Sequence, residues 1–158
     1  SDVCSSDLTS QNSTSGTAID FTGIPSWVKR ITVMFNGVST NGTSFILIQL
    51  GTGSTPAYTI SGYVGQANNV GGIFAMSTGF TVSSNVIAAN NYNGIITLAT
   101  LGSNSWVESG TLMQNVNTSN GTFSGGSVSL GATLTAVRIT TANGTDTFDA
   151  GSINILYE

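Results

Sequence analysis

Histidine is absent from this 158-residue chain, and charge is scarce: three Lys or Arg against seven Asp or Glu, a formal net charge of −4. Without histidine a serine has no imidazole to activate it, and general acid–base chemistry loses its commonest carrier. Three basic residues, Lys29, Arg30 and Arg138, cannot build the phosphate-binding stripe that nucleic acid requires. The only cysteine is Cys4, so no internal disulfide can form. Long apolar runs are missing too. The longest clear candidate, Phe45-Ile-Leu-Ile-Gln-Leu50, has strand length, well short of the ~20 residues of a membrane-spanning helix.

What fills the chain instead is Gly, Ser, Thr and Asn, which together supply 80 residues, about half of it. Hydrophobic residues still make up 39%, enough for a core, and β-branched and aromatic types favour strands. Short apolar runs alternate with turn residues and predict strands over Ala18–Phe21, Val28–Phe35, Ser44–Leu50, Tyr58–Val64, Gly72–Met76, Gly79–Val82, Ile95–Leu101, Ser105–Leu112, Gly126–Leu130, Leu134–Thr140 and Ser152–Tyr157. Nothing reads as a long helix; Val86–Asn93 has room for one turn. Alternation puts Ile31, Val33 and Phe35 on one buried face, and Ile153, Ile155 and Tyr157 on another. Phe45–Leu50 is apolar on both faces, which predicts a central or inter-subunit strand. Five Asn-Gly pairs supply residues that tolerate positive φ. Asn41-Gly42 predicts a hairpin and Asn36-Gly37 a bulge within a strand. The expected fold is all-β, a jelly-roll-like β-sandwich with its strand order open.

Residues 18–158 are expected to form this single domain. Ser1-Asp-Val-Cys-Ser-Ser-Asp-Leu8 resembles the translation of a sequencing-adapter oligonucleotide, and residues 9–17 read as a flexible Ser/Thr-rich lead-in. On this reading residues 1–8 lie outside the fold, and deleting them leaves folding unchanged.

Candidate chemistry is sparse. A glycosidase needs paired carboxylates. Beyond Leu8 only Asp20, Glu108, Asp146, Asp149 and Glu158 remain, and Asp146 and Asp149 read as turn residues. Calcium needs 6–8 oxygens, so neither a metal nor a cofactor is expected. Aromatics are the better binding candidates, because a sugar can stack on a ring while amides bond its hydroxyls. Tyr92 stands in Asn90-Asn-Tyr-Asn-Gly94, a loop-like setting, and is the first choice. Trp106 and Glu108 share one strand face and follow Asn104 in a Ser/Asn-rich connection. Core packing is the competing reading for both Trp106 and Tyr92. Trp27, at a strand entrance, reads as structural. Lys29, Arg30 and Arg138 read as strand-surface charges that discourage edge pairing.

The stretch Ala18-Ile-Asp-Phe-Thr-Gly-Ile-Pro-Ser-Trp-Val-Lys-Arg-Ile-Thr-Val-Met-Phe-Asn-Gly-Val-Ser-Thr-Asn-Gly-Thr-Ser44 resembles a family of bacteriophage and prophage proteins associated with tail fibres. Asn143-Gly-Thr-Asp-Thr-Phe-Asp-Ala-Gly-Ser-Ile-Asn-Ile-Leu-Tyr-Glu158 is similar to their C-terminal end. The resemblance implies a virion tail location and a β-rich accessory domain; taken with the uncharged, Ser/Thr/Asn-rich composition, it makes a non-enzymatic structural or receptor-binding domain the expected function. Its partners would be a host-surface glycan or protein and other tail proteins, and a homotrimer is the implied assembly. The alternative is a carbohydrate-binding module of a secreted bacterial protein.

Overall fold

The computed structural model describes residues 6–69, 71–83, 86–115 and 121–158. The strands are β1 (Ser6–Asp7), β2 (Gln11–Asn12), β3 (Ala18–Thr22), β4 (Arg30–Thr40), β5 (Ile46–Thr52), β6 (Ala57–Tyr58), β7 (Val64–Asn69), β8 (Gly72–Ala75), β9 (Phe80–Thr81), β10 (Tyr92–Gly102), β11 (Ser105–Gln114), β12 (Gly121–Ser129), β13 (Leu134–Thr141) and β14 (Phe148–Tyr157). They form two antiparallel sheets, as the all-β reading expects. The larger sheet runs β1-β14-β4-β10-β11-β12-β7-β8, with β2 also on β14. The smaller runs β3-β13-β5-β6, with β9 also on β5.

The inner faces of both sheets contribute to one hydrophobic cluster, the arrangement of a β-sandwich. Ile31, Val33, Phe35, Ile153, Ile155 and Tyr157 are all buried, on the faces that alternation assigns them. Strand β5 is buried from Ile46 to Gly51 and central in its sheet, between β13 and the short β6 and β9. That is why its apolar residues do not alternate.

The Asn36-Gly37 bulge is present. From Phe35 to Val38, β4 takes three steps while β10 takes two, from Gly94 to Tyr92. Against β14 the same extra residue appears, Asn36 to Ser39 facing Ser152 to Ala150. Gly37 adopts φ 65° and Gly151 φ 88°, and a Cβ on Gly151 would collide with the Gly37 carbonyl.

Three expectations are corrected. Asn41-Gly42 is not a hairpin: β4 and β5 lie in different sheets, so the pair turns the chain across the sandwich. There Asn41 Oδ1 accepts from Thr147 N–H (2.9 Å), and Ser44 N–H donates to Asp146 (2.9 Å). The Tyr58–Val64 strand is two elements, because β6 ends at Tyr58 and β7 begins at Val64. Residues 9–17 are not a loose lead-in. Gln11–Asn12 pair with Ser152–Ile153, and Ser13, fully buried, donates through N–H and hydroxyl to the Gly151 and Ala150 carbonyls (2.9 and 2.7 Å). Leu8 packs against the core. A polar segment needs no apolar pattern to dock along a sheet edge, because backbone and hydroxyl groups make the bonds. Residues 1–5 with Cys4, and Asn120 of the fourth Asn-Gly pair, lie outside the described residues.

Candidate functional site

The four sequence-derived binding candidates separate into three environments. Tyr92 opens β10 rather than a loop, paired with Gln114 on one side and Val38 on the other, and it is fully buried. Its hydroxyl accepts from Gln114 Nε2 (3.3 Å), while Asn90 Nδ2 donates to Gln114 Oε1 (3.1 Å). Burial pushes the Tyr92 phenol up to about 12, with the amide hydrogen bonds pulling the other way. The ring offers no face to a sugar, and the expectation of an exposed contact is corrected. An Asn-rich run looks like a loop, but here Asn90 is buried and its amide completes a polar knot at the strand entrance.

Trp106 and Glu108 do share one face of β11, and that face is the inner one. Glu108 is 3% exposed. Its Oε1 accepts from the Ser124 hydroxyl (2.6 Å), whereas Oε2 is buried without a partner. Desolvation pushes its carboxyl up to about 7, opposed by the Ser124 hydrogen bond. A buried acid bonded to one hydroxyl, with no second carboxylate beside it in the described hydrogen-bond network, is not a glycosidase pair.

Asn104 is the one candidate at a surface. It is the second residue of the two-residue turn joining β10 to β11, with Ser103 at φ 50° and Asn104 at φ 61°. Two consecutive left-handed residues are what a type I′ hairpin requires. The turn is fastened on three sides. Gly102 N–H donates to Thr100 Oγ1 (3.0 Å), Thr100 Oγ1 donates to the Ser105 carbonyl (3.1 Å), and the Asn104 carbonyl accepts from Leu130 N–H (3.0 Å). Tyr92 and Asn104 stand at opposite ends of the β10 hairpin, roughly 30 Å apart at strand rise, so they cannot share one sugar.

Asn104 and Trp106 meet at a cleft of about 210 Å³ at this end of the sandwich, walled also by Ser26, Lys29 and Thr133. The opposite wall is equally fixed: Val28 N–H donates to the Pro25 carbonyl (3.2 Å) and Thr100 N–H to the Lys29 carbonyl (2.9 Å). Among the described residues, the side chains of Ser26, Lys29, Ser103, Asn104 and Thr133 have no hydrogen-bond or ion-pair partner. A larger open groove of about 430 Å³ on the outer face of the smaller sheet differs in this respect. There Gln49 donates to the Thr78 carbonyl (2.8 Å), Thr140 to the Thr17 carbonyl (2.8 Å), and Arg138 binds Asp20 through two nitrogens (2.7 and 2.8 Å). The cleft therefore presents hydroxyls, one amide and one ammonium that are free to bind a hydroxyl-bearing ligand. No carboxylate lines it.

Sequence reasoning missed Ser26, Lys29 and Thr133, which lie 70 or more positions from Asn104 or in a featureless connection. Lys29 and Arg30 do not guard an edge, because they enter β4, an interior strand of the larger sheet. Arg30 pairs with Glu158. Arg138 sits on interior strand β13 with its guanidinium 3.9 Å from the Tyr58 ring centre. Trp27 tilts against Tyr157, ring centres 5.7 Å apart. Asp146 accepts from Asn143 Nδ2 (2.6 Å) in the turn where its sequence context puts it, and these bonds hold its carboxyl below the usual range.

No protein-family model matches this chain, and no curated protein is similar to it.

Proposed function

We propose that this domain is a non-enzymatic receptor-binding or structural module of a phage tail fibre, and that it contacts a host-surface glycan through the cleft beside Asn104. The observation that carries the reading is the contrast in hydrogen bonding. In the groove of the smaller sheet Gln49, Arg138, Thr140, Thr141 and Asn143 are hydrogen-bonded within the protein, whereas Ser26, Lys29, Ser103, Asn104 and Thr133 at the cleft have no protein partner. A site with unpaired donors already held in place loses little entropy when a ligand takes them up. Small volume suits a single sugar unit rather than a chain lying along the surface. The absence of histidine from the chain supports binding without cleavage. The tail-fibre context rests on the resemblance of residues 18–44 and 143–158.

The test is binding of purified host-surface polysaccharide, with Asn104→Gly, which keeps the left-handed turn unstrained, and Lys29→Ala as the perturbations. Both should weaken binding severalfold while release of reducing ends stays at background. Undiminished binding in both variants would move recognition elsewhere, and steady release of reducing ends would make the domain an enzyme.

A further inference from the structure

The cleft beside Asn104 has one charged side chain, Lys29. The chain holds three Lys and Arg residues, and the other two each meet an acid: Arg30 pairs with Glu158, and Arg138 with Asp20. Among the described residues Lys29 makes no ion pair and lies over no aromatic ring. The remaining carboxylates whose side chains are described are engaged elsewhere. Asp146 accepts from Asn143 Nδ2 and Ser44 N–H, Asp149 accepts from the Ser39 hydroxyl, and Glu108 is buried with Ser124 on the inner face of β11. The Lys29 backbone is held on both sides. Its N–H donates to the Glu158 carbonyl (2.7 Å), and its carbonyl accepts from Thr100 N–H (2.9 Å). The ammonium is thus carried on a long stem from a fixed point in the cleft wall.

From these observations we infer that the ligand of the cleft is an acidic sugar, one whose ring carries a carboxylate for Lys29. The inference rests on the cleft being the glycan site, and it names the class of glycan that the site takes. An ammonium only donates hydrogen bonds, and an ionised carboxylate only accepts them. With Lys29 present and no carboxylate in the lining, the cleft is biased towards donors and calls for a ligand rich in acceptors. Chemistry separates the three classes of sugar. An amino sugar would set a second cation beside Lys29 with no acid to receive it. A neutral sugar could bond the hydroxyls and the amide, but would draw nothing from the charge. A carboxylate can accept from the ammonium with one oxygen and from a wall hydroxyl with the other, and charge-assisted bonds are the stronger kind. One cation answers one negative charge, in a cleft sized for one sugar ring. Long-range attraction does not make the selection, because a chain of net charge −4 repels an anion at a distance. The preference is therefore local and depends on Lys29 itself.

Titrations followed through the amide chemical shifts of isotope-labelled protein test it. The probes are the methyl glycosides of glucuronic acid, galacturonic acid and N-acetylneuraminic acid, each beside its carboxyl-reduced neutral twin, and a sulfated methyl galactoside. At least one acid should shift the Lys29 and Asn104 amides and bind at least tenfold tighter than its twin. Lys29→Gln should bring that ratio within twofold, and Lys29→Arg should keep it. Unchanged shifts away from the cleft report that both variants are folded. Equal binding of acids and twins at the cleft would overturn the inference and leave a glycan site without charge preference. A tenfold preference that survives Lys29→Gln would overturn it too, as would a sulfated sugar that binds tighter than every acid. Silence at the cleft from every glycoside would reject the glycan reading itself, and the acidic sugar with it.

Discussion

The two sheets of this sandwich use the same residue types to opposite ends. On the outer face of the smaller sheet the polar side chains answer one another: Asp20 grips Arg138, Arg138 covers Tyr58, and Gln49 and Thr140 donate to loop carbonyls. In the groove on that face Ile60 is the one large apolar side chain left in solvent. The larger sheet leaves Phe123, Ile95 and Ile73 in solvent, buries Glu108 beneath, and ends in the cleft where Ser26, Lys29, Ser103, Asn104 and Thr133 have no protein partner. The contrast teaches that a Ser/Thr/Asn-rich surface is not uniformly inert. Internal satisfaction separates a scaffold from a surface that works.

The scaffold can be broken most severely from inside. Ile48 on β5 is fully buried at the centre of the smaller sheet. Ile48→Ala should cost about 2–5 kcal/mol, read as a lowered denaturant midpoint. A loss below 1 kcal/mol would mean that β5 is not central to the core.

Next in size is the buried acid of the larger sheet. The Glu108 carboxyl lies near 7 in the folded protein against a usual 4.5. Between these values the folded state keeps a proton that the unfolded chain releases, so stability from this group is full below pH 4.5. It falls as pH rises through about 7. The stability lost across that window is of the order of 3 kcal/mol. Glu108→Gln should flatten the slope and raise the melting temperature at pH 8. An unchanged pH profile in Glu108→Gln would show that the carboxyl is not desolvated. Asp146, its carboxyl held low by Asn143, acts in the opposite sense and only as pH falls through the acid range.

Smaller still is the surface ion pair of the smaller sheet. Both partners are about one-third exposed, so solvent screens them. Arg138→Ala should cost about 1 kcal/mol, from the bidentate contact and the stacked Tyr58 together. Salt should shrink the difference. At the low end, Asn104→Gly, which removes the amide but keeps a residue at ease at φ 61°, should shift stability by no more than about 0.5 kcal/mol, since the amide bonds nothing in the protein. A larger loss would mark Asn104 as structural rather than a ligand contact.

How much of this was legible in the residues depends on the kind of signal. Period-two alternation reports burial directly, and it found the inner faces of β4 and β14 and the fully buried β5. It failed where polar residues are buried in pairs. Asn90, Tyr92 and Gln114 satisfy one another inside, yet their composition is that of a loop. Ser13 and Gln11 dock by backbone and side-chain bonds with no apolar mark. Asn-Gly pairs announced turns and bulges correctly at Asn36 and Asn143, but a dipeptide cannot say whether its two strands pair, and Asn41-Gly42 joins different sheets. Trp106 and Asn104, named from the sequence, both line the cleft. Lys29, Ser26 and Thr133 were not, because only the closing of β4 beside the β10–β11 turn brings them together.

The account rests most heavily on the cleft being the working site. Titrating host-surface polysaccharide into the wild-type chain and into Asn104→Gly, which suits the left-handed turn position, with melting temperature followed in parallel, measures it directly. Saturable binding that Asn104→Gly weakens severalfold at an unchanged melting temperature is the predicted result. Equal binding by the two proteins, or no binding by either, would contradict it.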